Sequence, residues 1–199
     1  MANRKSIFFI LFLISFAGLA NAQDILPFRE IPPAAKVYTS GTLMGRMSDG
    51  LGFRFYWATQ GLTEENLEFG AGEESRTIGE TIDHIYTLVL MFTNAVMEQP
   101  TTFPIENNEL SFEEKRAKVL SFIQTSSALL KMSNDEDFER YNLVSQSVNG
   151  SGQKMPFWNG LNGPLEDALW HIGQVVTLRR MAGNPINPKV DFMNGVVNN

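Results

Sequence analysis

The clearest periodicity in the chain runs from Ile78 to Val96. Ile78, Ile82, Ile85, Val89, Phe92 and Val96 recur every three or four residues, which places them on one stripe of an α-helix. Thr77-x-x-Glu80 forms a capping-box pattern ahead of that stripe, and Pro100 ends it. A second capping box, Ser111-x-x-Glu114, opens a helix that carries Leu120, Ile123, Leu129 and Leu130 to about Met132. Another helix starts near Pro164, a residue suited to a first turn, carries Leu165, Leu169, Ile172 and Val176, and closes at Gly183. From about Thr39 to Gly61, Leu43, Met47, Leu51, Phe55 and Leu62 lie near helical spacing. Gly50 and Gly52 weaken that helix, because glycine costs about 1 kcal/mol against alanine in a helix interior.

No segment sustains a two-residue alternation. Four helices of about 20 residues, each roughly 30 Å long, pack most economically as one all-α four-helix bundle over residues 39–183. Residues 23–38 carry Pro27, Pro32 and Pro33 and read as an extended lead-in. Residues 184–199, rich in Asn and Pro, read as a tail. The connection from Ser133 to Asn162 is long, and long connections usually do something. A short hairpin turning near Asn149, or a cover over one mouth of the bundle, would account for it.

The start of the chain stands apart from this pattern. Arg4 and Lys5 precede an apolar run from Ile7 to Ala20, followed by Ala20-Asn21-Ala22. This is the layout of a secretory signal peptide cleaved before Gln23. The run is short for a spanning helix, which needs about 20 apolar residues. The expectation is an exported protein, periplasmic or secreted, with no membrane attachment after cleavage. Loss of Arg4 and Lys5 would move the net charge from −6 to −8. So acidic a domain offers no footprint for nucleic acid. With no cysteine, there is no disulfide framework, and a metal site would have to use His, Asp or Glu.

Only two histidines occur, and each follows a carboxylate by four residues: Glu80 before His84 and Asp167 before His171. Residues i and i+4 share a helix face, so each pair forms a ledge beside its apolar stripe. Superposing residues 78–92 on 165–179 aligns Glu80 with Asp167, His84 with His171 and Ile85 with Ile172. At this acid content, two unrelated histidines would both have such a neighbour about once in eighty cases. On neighbouring helices the two ledges could converge on a metal. Helix-surface ion pairs or two satisfied core histidines would produce the same spacing, so both remain open on spacing alone.

The chain also resembles the DinB-like (DinB/YfiT-like) superfamily of four-helix-bundle metalloproteins. The resemblance covers about Gly41 to Gly183 and is carried by "TIGETIDHI", by "HIGQVVTLRR" and, more weakly, by "GLGFRFYWATQGLTEENL". It implies one divalent transition metal (Zn, Ni, Fe or Mn undistinguished) held by a histidine of the second helix and two histidines, four apart, of the fourth. His84 matches the first of these ligands, and His171, with Gly173 and Gln174 after it, matches the last. The remaining position falls on Asp167, a departure from the three-histidine pattern. Two histidines and a carboxylate is a set used by iron(II) and zinc sites.

Glu80 has the helical position of a further ligand or of an acceptor for an imidazole N–H, in competition with its capping role. Gln174 has a comparable supporting position. Arg54, Tyr56 and Trp57 could line a pocket beside the metal, although aromatic clusters on helices are more often core. Asp83 and Glu166 read as solvated, Trp158 and Trp170 as packing, and Arg179 and Arg180 as counter-charges to the fourth helix dipole. A dimetal centre using Glu80 and Asp167 with both histidines is a weaker alternative, lacking the Glu-x-x-His spacing of such sites. The resemblance implies metal-dependent hydrolysis or thiol transfer on an unknown small-molecule substrate. The alternative is a non-catalytic scaffold, metal-binding or metal-free. A homodimer is compatible with the sequence.

Overall fold

Three of the four long helices begin where a side chain satisfies a free amide, and the fourth starts behind Pro156 without such a cap. In the computed structural model, which describes residues 26–199 apart from Asn108, α1 spans Ser40–Thr59 behind Thr39, whose hydroxyl accepts from Thr42 N. A single turn, α2, covers Glu64–Leu67. Helix α3 spans Ile78–Val96 behind the Thr77/Glu80 capping box, and α4 spans Phe112–Met132 behind the Ser111/Glu114 box. The fourth long helix is composite. It begins with α5, Phe157–Gly160, passes through a π-helical turn at Leu161–Leu165, and continues as α6, Glu166–Met181. The signal-peptide reading of residues 1–22 lies outside the described residues. Among those described, no helix is long and apolar enough to cross a membrane.

Helices α1 and α3 each pack on both α4 and α6. The first two long helices in the chain are therefore diagonal, and α3 and α6, which carry the histidines, are neighbours. Ile78, Ile82, Ile85, Val89 and Phe92 of α3 meet Ala168, Ile172 and Val175 of α6 and Leu120, Ile123 and Leu130 of α4 in one core. The expected α3 stripe is this buried face.

The α1 stripe holds in its second half, where Leu51 and Phe55 are buried with Leu62 just beyond the helix, and fails in its first half. Leu43 and Met47 are about half exposed, while Gly41, Gly45, Ser48, Asp49 and Gly52 are buried. The reason is backbone proximity. A Cβ at Gly41 would sit 2.4 Å from the carbonyl oxygens of Leu130 and Ser133, and one at Gly45 would meet Lys131 and Ser127. Gly41 and Gly45 are the contact with α4, whereas a Cβ at Gly52 would meet the Phe28 ring of the lead-in. Asp49 is buried at this seam, where Ser127 Oγ donates to it at 2.5 Å and Lys131 Nζ lies 2.6 Å from its other oxygen.

Pro164 is likewise misplaced by the sequence reading. It sits inside the π-helical turn rather than at a helix start. The wider turn accommodates a residue that lacks an N–H and crowds the preceding carbonyls. Leu169 of the expected α6 stripe is 46% exposed, and Trp158 and Trp170, read as packing, are 74% and 72% exposed.

Strands too short to show alternation add to the bundle. β1 (Thr101–Phe103) pairs parallel with β2 (Leu143–Ser147), and β2 pairs antiparallel with β3 (Gly152–Met155). The long connection thus carries the anticipated hairpin, turning at Gly150 with φ of 81°. The tail forms a second hairpin, β4 (Val190–Asp191) with β5 (Val196–Val197). It holds the lead-in against α1: Ile31 N donates to Gly195 O at 2.8 Å, and Trp57 Nε1 donates to Arg29 O at 3.0 Å.

Arg179 has a wider role than opposing its own helix dipole. It is buried, and its guanidinium donates to Trp57 O, Ala58 O, Gln60 O and Asn184 O, tying the C-terminal end of α1 to α6. Arg180 is exposed.

Gly41→Ala should lower stability by about 1–3 kcal/mol, because two backbone carbonyls must move. Gly173→Ala, where an added Cβ meets nothing within 4 Å, should be neutral or stabilising by about 0.5–1 kcal/mol. Urea midpoints of the two variants check the contrast; equal midpoints would mean that α1 and α4 are not in close backbone contact.

Candidate metal centre

Packing of α3 on α6 brings His84, Asp167 and His171 together. One ligand atom from each lies within 4.8 Å of the others. His84 Nε2 is 3.3 Å from Asp167 Oδ2, and His171 Nε2 is 3.4 Å from Asp167 Oδ1. Two ligands each about 2.0 Å from a tetrahedral ion are about 3.3 Å apart, and each imidazole lies at that spacing from a different oxygen of Asp167. The imidazoles meet edge to face, with centroids 4.6 Å apart.

Gln174 sets the direction of the buried ring. His171 Nδ1 donates to Gln174 Oε1 at 2.7 Å, one turn along the same helix. With the proton on Nδ1, the Nε2 lone pair points at Asp167. A lone pair facing a carboxylate is repulsive unless a cation, whether proton or metal, lies between them. Holding the far nitrogen of a ligand imidazole in this way is the usual means of fixing its tautomer and orientation.

His84 is more open than His171, with side-chain exposures of 30% and 11%. Its pKa lies below the ordinary imidazole value. Burial is the largest cause, followed by the Arg76 cation; the hydrogen bond to Asp167 acts in the opposite direction, and His171 adds to the lowering. A neutral imidazole at neutral pH is ready to ligate without first losing a proton.

The other expected site residues are not gathered here. Glu80 is held by its capping role, where its Oε2 accepts from Thr77 N at 2.8 Å. It is outside the donor cluster, so among the described residues there is no four-residue set for a dimetal centre. The match between Glu80 and Asp167 fails because their helical contexts differ. Glu80 occupies the first turn of α3, facing free amides, whereas Asp167 follows helix running back to Phe157, whose backbone supplies no free amide to it. Arg54 donates to Gly50 O of its own helix and lines a different groove, beside Leu165, Glu166 and Phe192. Tyr56 lies under the Arg116 guanidinium, 4.6 Å from its ring centroid, toward α4. Asp83 is ion-paired with Lys115 at 2.6 Å instead of being free in solvent; Glu166 is exposed.

The sequence reading missed the wall facing the cluster. His171 and Gln174 border a cleft of about 790 Å³, whose other lining includes Glu74, Arg76, Thr81, Trp170 and Met181. Residues 70–77 form that wall. They are pinned by a bridge between Gly70 and Thr77 and by a turn in which Ser75 N donates to Gly72 O at 3.0 Å. Arg76 belongs to no periodic pattern, and only its place next to the Thr77 cap could have drawn attention to it.

No known family profile matches the sequence, and no curated protein does. Solved structures do match. A DinB-like protein of Bacillus subtilis aligns over 73% of this chain and 96% of its own, with a TM-score of 0.54 and 16% identity. YfiT of Bacillus subtilis, described as a probable metal-dependent hydrolase with an unusual four-helix bundle topology, aligns over 77% of this chain and 94% of its own. Its TM-score is 0.51 at 14% identity. The fold of this chain is thus the DinB-like four-helix bundle, at low sequence identity.

In metal-free protein, Asp167→Asn should lower the His84 pKa further, because the contact that favours the imidazolium is removed. A histidine ring-proton NMR titration checks the direction; an unchanged or raised value would show that the two groups do not interact in solution. The sign of the pH dependence also follows. Between about pH 6.5 and the lower folded value, the unfolded chain binds a proton at His84 that the folded chain does not. The His84 contribution to stability is therefore lost as pH falls through that window.

Proposed function

We propose that the protein is a metal-dependent hydrolase acting on a small molecule, with one divalent transition metal held by His84, Asp167 and His171. The observation that carries this reading is the convergence of three ligand atoms from two helices, within 4.8 Å of one another, beside an open cleft. The likeness to YfiT supports the same reaction class. Three protein ligands leave coordination positions open, and a divalent ion there would supply Lewis acidity and a water acidified toward neutral pH. The chain's own residues would supply the rest. Gln174 holds His171 in its ligating tautomer, and burial keeps His84 neutral. Thiol transfer fits the same open site and would need a thiol from a cosubstrate, since the chain has no cysteine. The leader-like residues 1–22 support action outside the cytoplasm.

One observation favours a second reading. Asp167 contacts both imidazoles at 3.3 and 3.4 Å, and a metal-free His–Asp–His triad would have the same contacts. In that reading the protein is a non-catalytic scaffold.

Elemental analysis of protein purified without a histidine tag separates the two. The expected result is about one equivalent of a transition metal per chain, lost in His171→Ala and retained in Asp167→His. Chelation should abolish hydrolysis across an ester and amide panel, and re-addition of the ion should restore it. No bound metal, together with no thermal stabilisation by Zn, Ni, Fe(II) or Mn, would establish the metal-free triad.

A further inference from the structure

The cleft beside His171 contains a cation that the fold leaves unused. Arg76 is exposed on the wall opposite α6 and makes no ion pair among the described residues. The other two arginines nearest to structural duty are fully engaged: Arg116 with Thr59, Tyr56 and Gln60, and Arg179 with the carbonyls at the α1 end. Arg76 has no such task. Its backbone is nonetheless fixed, because it directly precedes the Thr77 N-cap and lies within the Gly70–Thr77 bridge. It lines the same cleft as His171 and Gln174. Around it, Trp170 and Met181 present exposed apolar surface, and Leu178 closes the cleft from α6.

We infer that the substrate carries a carboxylate beside the group attacked, and that Arg76 binds this carboxylate while Trp170 and Met181 receive an apolar flank. The inference rests on the metal-site reading above and adds the substrate class to it. A guanidinium is suited to this task, since it offers a planar fork of donors to a carboxylate and stays charged at all relevant pH values. Glu74, on the same wall, adds the opposite charge and would disfavour anions unless Arg76 outweighs it. The two residues therefore give substitutions with opposite expected signs.

The test uses cobalt(II)-loaded full-length protein and chelating probes that differ only in charge. Succinate and glutarate monohydroxamates carry a carboxylate where butyro- and valerohydroxamate carry a methyl group. Binding is read from the visible spectrum of the bound cobalt, independently of any activity. The anionic probe of the better-fitting length should bind about tenfold more tightly than its neutral partner, and the preference should shrink with added salt. Arg76→Gln should remove the preference and leave the neutral probes unchanged; Glu74→Gln should increase it. Equal binding of charged and neutral probes to the wild type, or a preference surviving in Arg76→Gln, overturns the inference while leaving the metal site standing. Failure of cobalt to bind at all overturns the metal-site reading and this inference with it.

Discussion

How closely α3 approaches α6 decides everything at the candidate site. The approach depends on a dry seam in which Ile82, Ile85 and Val89 face Ala168, Ile172 and Val175, nearly all of them completely buried. Ala168 matters most by being small: one turn before Ile172, it lets the helix backbones draw together just where Asp167 must reach His84. The bundle order makes this seam possible. With α1 and α3 on the diagonal, α3 and α6 become neighbours although about 70 residues separate them in sequence. A bundle wound with consecutive helices adjacent would instead leave the second and fourth long helices on the diagonal, out of contact. Here the order is held by the glycine seam between α1 and α4 and by the Arg179 tie between α1 and α6.

Much of this was legible in the sequence because its signals were local. The capping boxes at Thr77 and Ser111 depend on side chains three residues apart, and both form as expected. The α3 stripe is strongly apolar and finds its core. The composite helix was not legible, since Pro164 has the signal of a helix start yet lies inside a π-helical turn between the buried Phe157 and Leu165. Nor was the α1 face. In the first half of α1 the buried residues are Gly, Ser and Asp, and a hydrophobicity reading assigns such residues outward. Their burial is dictated by α4, which the α1 sequence does not mention.

The candidate site divides along the same line. The grouping of His84, Asp167 and His171 could be anticipated from matched spacing, since that spacing places both ledges at the same helical angle. Glu80 shares the spacing but not the place. A carboxylate at the third position of a helix is competed for by the free amides before it, and on α3 those amides win. Arg54 and Tyr56 of α1 face elsewhere, Arg54 into the groove beside Leu165 and Phe192 and Tyr56 under the Arg116 guanidinium. Gln174 needed only one turn of helix to reach His171, which is why its position could be read in advance.

Aspartate at position 167 has an electrostatic consequence beyond ligand identity. Two neutral imidazoles and one carboxylate would leave a bound divalent ion with one net positive charge, where three imidazoles would leave two. The carboxylate therefore weakens the attraction of the centre for an anionic substrate and, by the same token, its Lewis acidity. A cation placed across the cleft restores the first without altering the second. Arg76 lies across the cleft from His171, on a pinned loop and apart from the three donor residues. The site thus separates the charge that would activate a substrate from the charge that would select it, and the two can be removed one at a time.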